Sequence, residues 1–232
     1  MRNFKRIKAA MFIIAAFFFL TSSVAESDRP GVFKTGTHLT WTISEGGKPQ
    51  GRIESVVTRV YTKNDTLFSE SDVKYFDLPE KEPVGYGSFR FEKDSVSFLY
   101  EMTNLVPKKL RYDNVESVRI EGLPLVYPLQ PDSGASLHGS KALIHYFRSG
   151  TDSNMGYEIV NRKVTGQDTL VTPAGKFHCW IIRYDEQIDS KEKGPDFRHV
   201  IEWYNPEIGI VKSVYVAADN AIAQERLLTG IE

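Results

Sequence analysis

Leu39, Trp41 and Ile43 alternate with polar residues until Gly46-Gly47-Lys48-Pro49 breaks the run. This is the period-two pattern of a half-buried strand that ends in a turn. The pattern then repeats. Residues 52–61 are rich in valine and isoleucine, Asn64-Asp65 turns the chain, and 66–76 resumes it. Residues 86–91, the polar turn Glu92-Lys93-Asp94 and residues 95–102 read as another hairpin, with Val96, Phe98, Tyr100 and Met102 on one face. Short strands at even spacing with turns between them predict an all-β, antiparallel, strongly curved sheet, a barrel-like or sandwich domain with little helix. Residues 124–131 (PLVYPLQP) cannot form a central strand, because proline brings no N–H to a ladder. They mark an internal seam.

The first 25 residues break this grammar. Arg2, Lys5, Arg6 and Lys8 precede the apolar run 9–20, and Ser23-Val24-Ala25 supplies small residues at a peptidase site. That is a secretory signal peptide, cleaved before Glu26. The apolar run is too short to span a bilayer, which takes roughly 20 residues. The expected product is one exported domain, 26–232, in the periplasm or secreted, with no transmembrane segment in the mature chain.

Removing the signal leaves 25 basic and 30 acidic side chains, a charge of −5 with histidine neutral. Such a balance offers no basic footprint for nucleic acid. Cys179 is the sole cysteine, so an intramolecular disulfide is excluded, as is any zinc site built on cysteine pairs. It lies in the apolar run Phe177-His178-Cys179-Trp180-Ile181, which places it in a core.

Chemistry is sparse. The histidines at 38, 138, 145, 178 and 199 show no metal-binding spacing, and Gly134-Ala135-Ser136-Leu137-His138 lacks the closing glycine of a nucleophile elbow. The expectation is no catalytic residue, no metal and no cofactor. The C-terminal third is more informative. Pairing 177–184 with 198–204 puts Phe177, Cys179 and Ile181 beside Ile201 and Trp203 as the core face. The other face carries His178, Trp180, Tyr184, Glu202 and Tyr204, a mixture suited to lining a cavity for an apolar or amphipathic molecule. Residues 185–198 (DEQIDSKEKGPDFR) read as a charged loop joining the two strands.

Pro173-Ala174-Gly175-Lys176-Phe177-His178-Cys179, the tryptophan-bearing strand at Trp203 and Gly209-Ile210-Val211-Lys212 together resemble the TapB-like family of exported bacterial β-rich proteins, with Tyr127-Pro128-Leu129 as a further shared element. The resemblance covers mainly 155–232, and Thr172 stands where an apolar residue is common. It implies an exported, barrel-like β domain, and it carries no functional residues because the family has no established activity. The expected function is non-catalytic binding of an apolar or amphipathic small molecule in a β-barrel-like cavity. The alternative is an interaction or structural protein of an envelope assembly, reaching an envelope protein partner through the 185–198 loop or a sheet edge.

Overall fold

The computed structural model describes residues 31–79, 82–83, 85–93, 97–100, 115–122, 125–148, 150–190, 194–217 and 221–232; the signal peptide reading lies outside them. In chain order the strands are β1 (His38–Glu45), β2 (Lys48–Lys63), β3 (Thr66–Asp77), β4 (Gly85–Lys93), β5 (Ser97–Tyr100), β6 (Val115–Gly122) and β7 (Leu125–Pro128). They continue as β8 (Ser140–Arg148), β9 (Thr151–Thr172), β10 (Gly175–Ser190), β11 (Gly194–Asn205), β12 (Gly209–Val216) and β13 (Ile222–Ile231). No helix occurs among the described residues.

All thirteen strands share one antiparallel sheet in the order β6-β8-β9-β10-β11-β12-β13-β1-β2-β3-β4-β5-β7. The turns are those the sequence signalled. Gly46 and Gly47 (φ 56° and 75°) close β1–β2, and Asn64 and Asp65 (φ 49° and 60°) close β2–β3. Two consecutive left-handed residues match the twist of the flanking strands. The all-β, antiparallel expectation holds. The sheet is open rather than closed, because its end strands β6 and β7 share no ladder among the described residues. Only residues 123–124 separate these two strands in sequence.

β7 is the seam that the prolines marked, and it is an end strand, as a proline-bearing segment must be. It pairs with β5 through Leu99↔Val126 and its neighbours. Its Val126 carbonyl accepts a hydrogen bond from Arg162 Nη1 of β9 at 3.0 Å. A side chain caps this main-chain group where a closed barrel would place another strand.

The core draws on both wings. Trp41, Ile53, Tyr75, Phe89 and Phe91 meet Ile144, Tyr157, Ile182, Tyr184, Val200, Tyr204 and Leu228 in one cluster. Burying each such side chain contributes about 1.5–3 kcal/mol. The Trp41 ring meets Phe89 edge-on at 6.3 Å, and its Nε1 donates to the Ile210 carbonyl at 2.9 Å. The buried indole therefore keeps a partner for its one polar atom.

The charged stretch 185–198 is not a loop. β10 runs to Ser190 and β11 starts at Gly194, paired from Asp185↔His199 to Ser190↔Gly194. Its alternation is hidden by a buried glutamate: Glu186 and Ile188 face inward opposite Arg198 and Asp196, which bond each other at 2.7 Å, while on the other face His199 bonds Asp185 at 2.6 Å.

Gly51 gives a direct test of register. It is buried where β2 pairs with both β1 (Ile43) and β3 (Asp77), and a Cβ there would sit 2.6 Å from the Phe76 carbonyl oxygen. Gly51→Ala should destabilise the protein by about 1–3 kcal/mol. In urea unfolding the midpoint should fall with an unchanged m-value.

Candidate functional site

β10 and β11 pair with Trp180↔Tyr204, Ile182↔Glu202 and Tyr184↔Val200. That is the parity read from the sequence, with His178, Trp180, Tyr184, Glu202 and Tyr204 on one face. The roles of the two faces are exchanged. Tyr184, Glu202 and Tyr204 are buried, whereas Phe177, Ile181, Ile201 and Trp203 of the expected core face are only half-buried. The reason is β7, whose Tyr127 lies over the mixed face. Its ring stacks on Tyr204 at 4.7 Å, and its hydroxyl donates to Glu202 Oε2 at 2.9 Å. The Tyr184 hydroxyl donates to Glu202 Oε1 at 2.9 Å. The space expected to hold a ligand there is occupied by β7.

A second buried carboxylate follows the same pattern. Glu186 accepts from the Tyr157 hydroxyl at 2.5 Å. Burial pushes the Glu186 carboxyl up to about 7, against the opposing pull of Tyr157 and the Arg198 charge. Burial likewise pushes the Tyr157 and Tyr184 hydroxyls well above the usual phenol value, with Glu186 and Glu202 respectively adding to it. The hydroxyls therefore stay protonated and remain donors.

Arg162 completes this interior and was not legible in the sequence. It is 2% exposed, and its Nη1 donates to the carbonyls of Val126 and His138, both at 3.0 Å. Its guanidinium also lies 4.5 Å from the Tyr127 ring centroid. Tyr127 thus touches both Arg162 and Tyr204 with its ring. Elsewhere the interior is tight. The pocket against Trp41, Phe89, Phe91 and Ile210 offers about 20 Å³, room for one water.

The outer face of the β9–β10 hairpin holds Cys179, buried as the sequence implied. Burial, with Asp168 nearby, pushes its thiol up to about 12. Trp203 Nε1 donates to Asp168 Oδ2 at 3.2 Å, and Lys212 Nζ sits 5.2 Å from the Trp203 ring centroid. Two sequence candidates lie apart from the buried three. His178 is exposed and bonded to Thr169 Oγ1 at 3.0 Å, and Trp180 is half-buried. Both line an open groove of about 1090 Å³ between the hairpin tip and the β11–β12 turn. Its walls mix Phe177, Ile208 and Ile231 with Asp168, Lys176 and Glu207. Sequence reading found the two turns that frame this groove but not their approach. Among the described residues no three His, Cys, Asp or Glu side chains converge as metal ligands.

With this geometry in hand, comparison with known proteins is informative. Residues 34–222 match the model of the DUF3108-like family, and the chain belongs to that family. A proposed lipoprotein from Parabacteroides distasonis superposes with a TM-score of 0.75 at 20% identity, covering 88% of this chain and 100% of its own. A proposed exported protein with a YmcC-like fold from Bacteroides fragilis gives 0.73 at 17% identity, with the same coverage of 88% and 100%. At these identities the likeness establishes the fold. No curated protein matches the sequence.

Two predictions follow from the buried groups. Glu186 ionises near 4.5 in an unfolded chain and near 7 when folded. The folded state therefore holds the extra proton between those values, and stability falls as pH rises through that window. Glu186→Gln should gain on the wild type by about 3 kcal/mol between pH 4.5 and pH 8 in parallel urea titrations. A difference that does not change with pH would show that the carboxyl ionises without a burial penalty. Separately, Cys179 should resist a thiol reagent in the native protein and react on unfolding. Rapid native labelling would contradict its burial.

Proposed function

We propose that this member of the DUF3108-like family is an exported, non-catalytic interaction protein of the bacterial envelope. Its working surface is the groove between the β9–β10 hairpin tip and the β11–β12 turn. The observation that carries this reading is the contrast between a filled interior and that open groove. The face read from the sequence as a cavity wall is packed under Tyr127, while about 1090 Å³ lies open beside His178 and Trp180. A half-apolar, half-polar lining suits an amphipathic occupant.

Several further observations support the proposal. The buried carboxylates Glu186 and Glu202 are engaged by tyrosine hydroxyls and face no open cleft, which leaves them no substrate to act on. The basic and apolar N-terminal segment is a signal for export, and the Bacteroides and Parabacteroides relatives are described as an exported protein and a lipoprotein. The segments that carry the TapB-like resemblance, 173–179 and 209–212, lie at the hairpin tip and just beyond the facing turn. A sheet edge, rather than the former loop 185–198, becomes the route to a partner.

Site-specific photocrosslinking in the native envelope tests this proposal. A benzophenone side chain at Lys176 or Glu207, both exposed on the groove, should give discrete adducts. The same probe at Lys48, exposed on the β1–β2 turn, should give none. Absence of adducts from both groove positions would remove the groove as the working surface.

A further inference from the structure

The geometry points to a specific occupant: an extended peptide segment of a partner protein that adds as a strand to residues 175–177 of β10. This inference rests on the groove being the working surface and names what enters it.

β9 and β10 outrun their neighbours. β8 pairs with β9 only as far as Ile159, and residues 134–137 accompany β9 to Val164. On the other side β11 stops at Asn205, just past the Trp180↔Tyr204 pair. The hairpin tip therefore projects as a two-stranded ribbon. β11 stops for a chemical reason: the next residue is Pro206, which has no N–H to give. Asn205 Oδ1 instead accepts the N–H groups of Glu207 (2.9 Å) and Ile208 (3.1 Å), turning the chain away, while Asn205 Nδ2 donates to the His178 carbonyl at 2.9 Å.

That last bond fixes the polarity of the ribbon. The His178 carbonyl points away from β9, and the N–H of its partner Thr169 is bonded to Asp168 Oδ1 at 2.7 Å. Thr169–His178 is thus a non-hydrogen-bonded pair, and Val171–Lys176, two residues on, has the same character. The main-chain N–H and C=O of Lys176 therefore face the groove, in line with the edge that β11 occupies further down. Outside the β9–β10 ladder no hydrogen bond from a described residue reaches them.

An unpaired N–H and C=O on a strand edge are the groups that another extended chain satisfies. The edge left free is three residues, 175–177, about 10 Å at the rise of a strand, because Asn205 already takes the His178 carbonyl. With histidine neutral, the lining sets Lys176 against Asp168 and Glu207, a net charge of −1 too small to demand an ionic ligand, which leaves the main chain as the recognition element. The walls also suit the alternating side chains of a strand, with Trp180 and Ile208 on one hand and Phe177 on the other.

The test uses the mature chain from residue 26 and a random 12-residue peptide library displayed on phage. Enriched peptides should bind wild type and Lys176→Ala within threefold of each other. Lys176→Pro, which removes the donor without touching a β9–β10 bond, should bind more than tenfold more weakly, and Glu207→Trp, which fills the groove, should not bind. In the wild type the Lys176 amide should become protected from hydrogen exchange on peptide binding, a readout independent of the proline variant. If Lys176→Pro binds normally and the amide stays unprotected, strand addition is overturned. The groove reading survives that result only if Glu207→Trp still abolishes binding. No enrichment, with dodecanoate binding instead and being lost in Glu207→Trp, would identify a small-amphiphile site and overturn the peptide. No enrichment and no dodecanoate binding overturns it as well. A dimer in light scattering that Lys176→Pro dissociates would replace the partner peptide with a second copy of this chain.

Discussion

One buried guanidinium ties the end strand β7 to β9 in the other wing of the sheet. Arg162, from the middle of β9, donates to the Val126 carbonyl on the end strand β7 and to the His138 carbonyl on the approach to β8. β7 has ladder partners on one side only, so its place over the sheet depends on such contacts. Tyr127 transmits the constraint inward, in contact with Arg162 and Tyr204 and bonded to Glu202. A cation, two rings and a carboxylate thus fix where the sheet's own hydrogen bonds leave off. Removing Tyr127 would take one of the two tyrosine bonds from Glu202 and the ring from Arg162, and weakening the partners of a buried charge is costly.

The consequence for function is a division of space. The inward face of this open sheet could be left hollow for a ligand or filled. Here it is filled with polar side chains that satisfy one another, Tyr157 on Glu186 and both Tyr127 and Tyr184 on Glu202. The tyrosine–carboxylate bonds specify one arrangement, although Arg162 Nε and Nη2 have no hydrogen-bond partner among the described residues. On the proposed reading, recognition is displaced to the rim, where the β9–β10 hairpin overhangs the Asn205-Pro206 turn.

Much of the fold was legible in the sequence. The Gly46-Gly47 and Asn64-Asp65 turns, the alternation around Trp41 and the prolines of the seam each carry a local signal, and each element formed where it was read. The parity of β10 against β11 was also recoverable, since a one-residue slip would have mixed its faces. Which face is buried was not. That depends on Tyr127 and Arg162, which lie 50 or more and about 20 residues from the strands they cover, and no local pattern announces such partners. Glu186 misled for the same reason: a carboxylate amid charges reads as solvent-exposed, and only its distant partner Tyr157 makes burial tolerable. Of the five site candidates, His178 and Trp180 reach the groove and three serve the interior.

The central ladder of the sheet pairs β1 with β13, and main-chain bonds of 2.9 and 3.0 Å join His38 to Glu232. The two wings meet there, so the first of the described strands to leave a ribosome needs the last of them as its neighbour. Loop closure over nearly two hundred residues is slow, and until it occurs β1 presents an unsatisfied edge. A chain delivered from its N-terminus must therefore wait, open and adhesive, until β13 arrives.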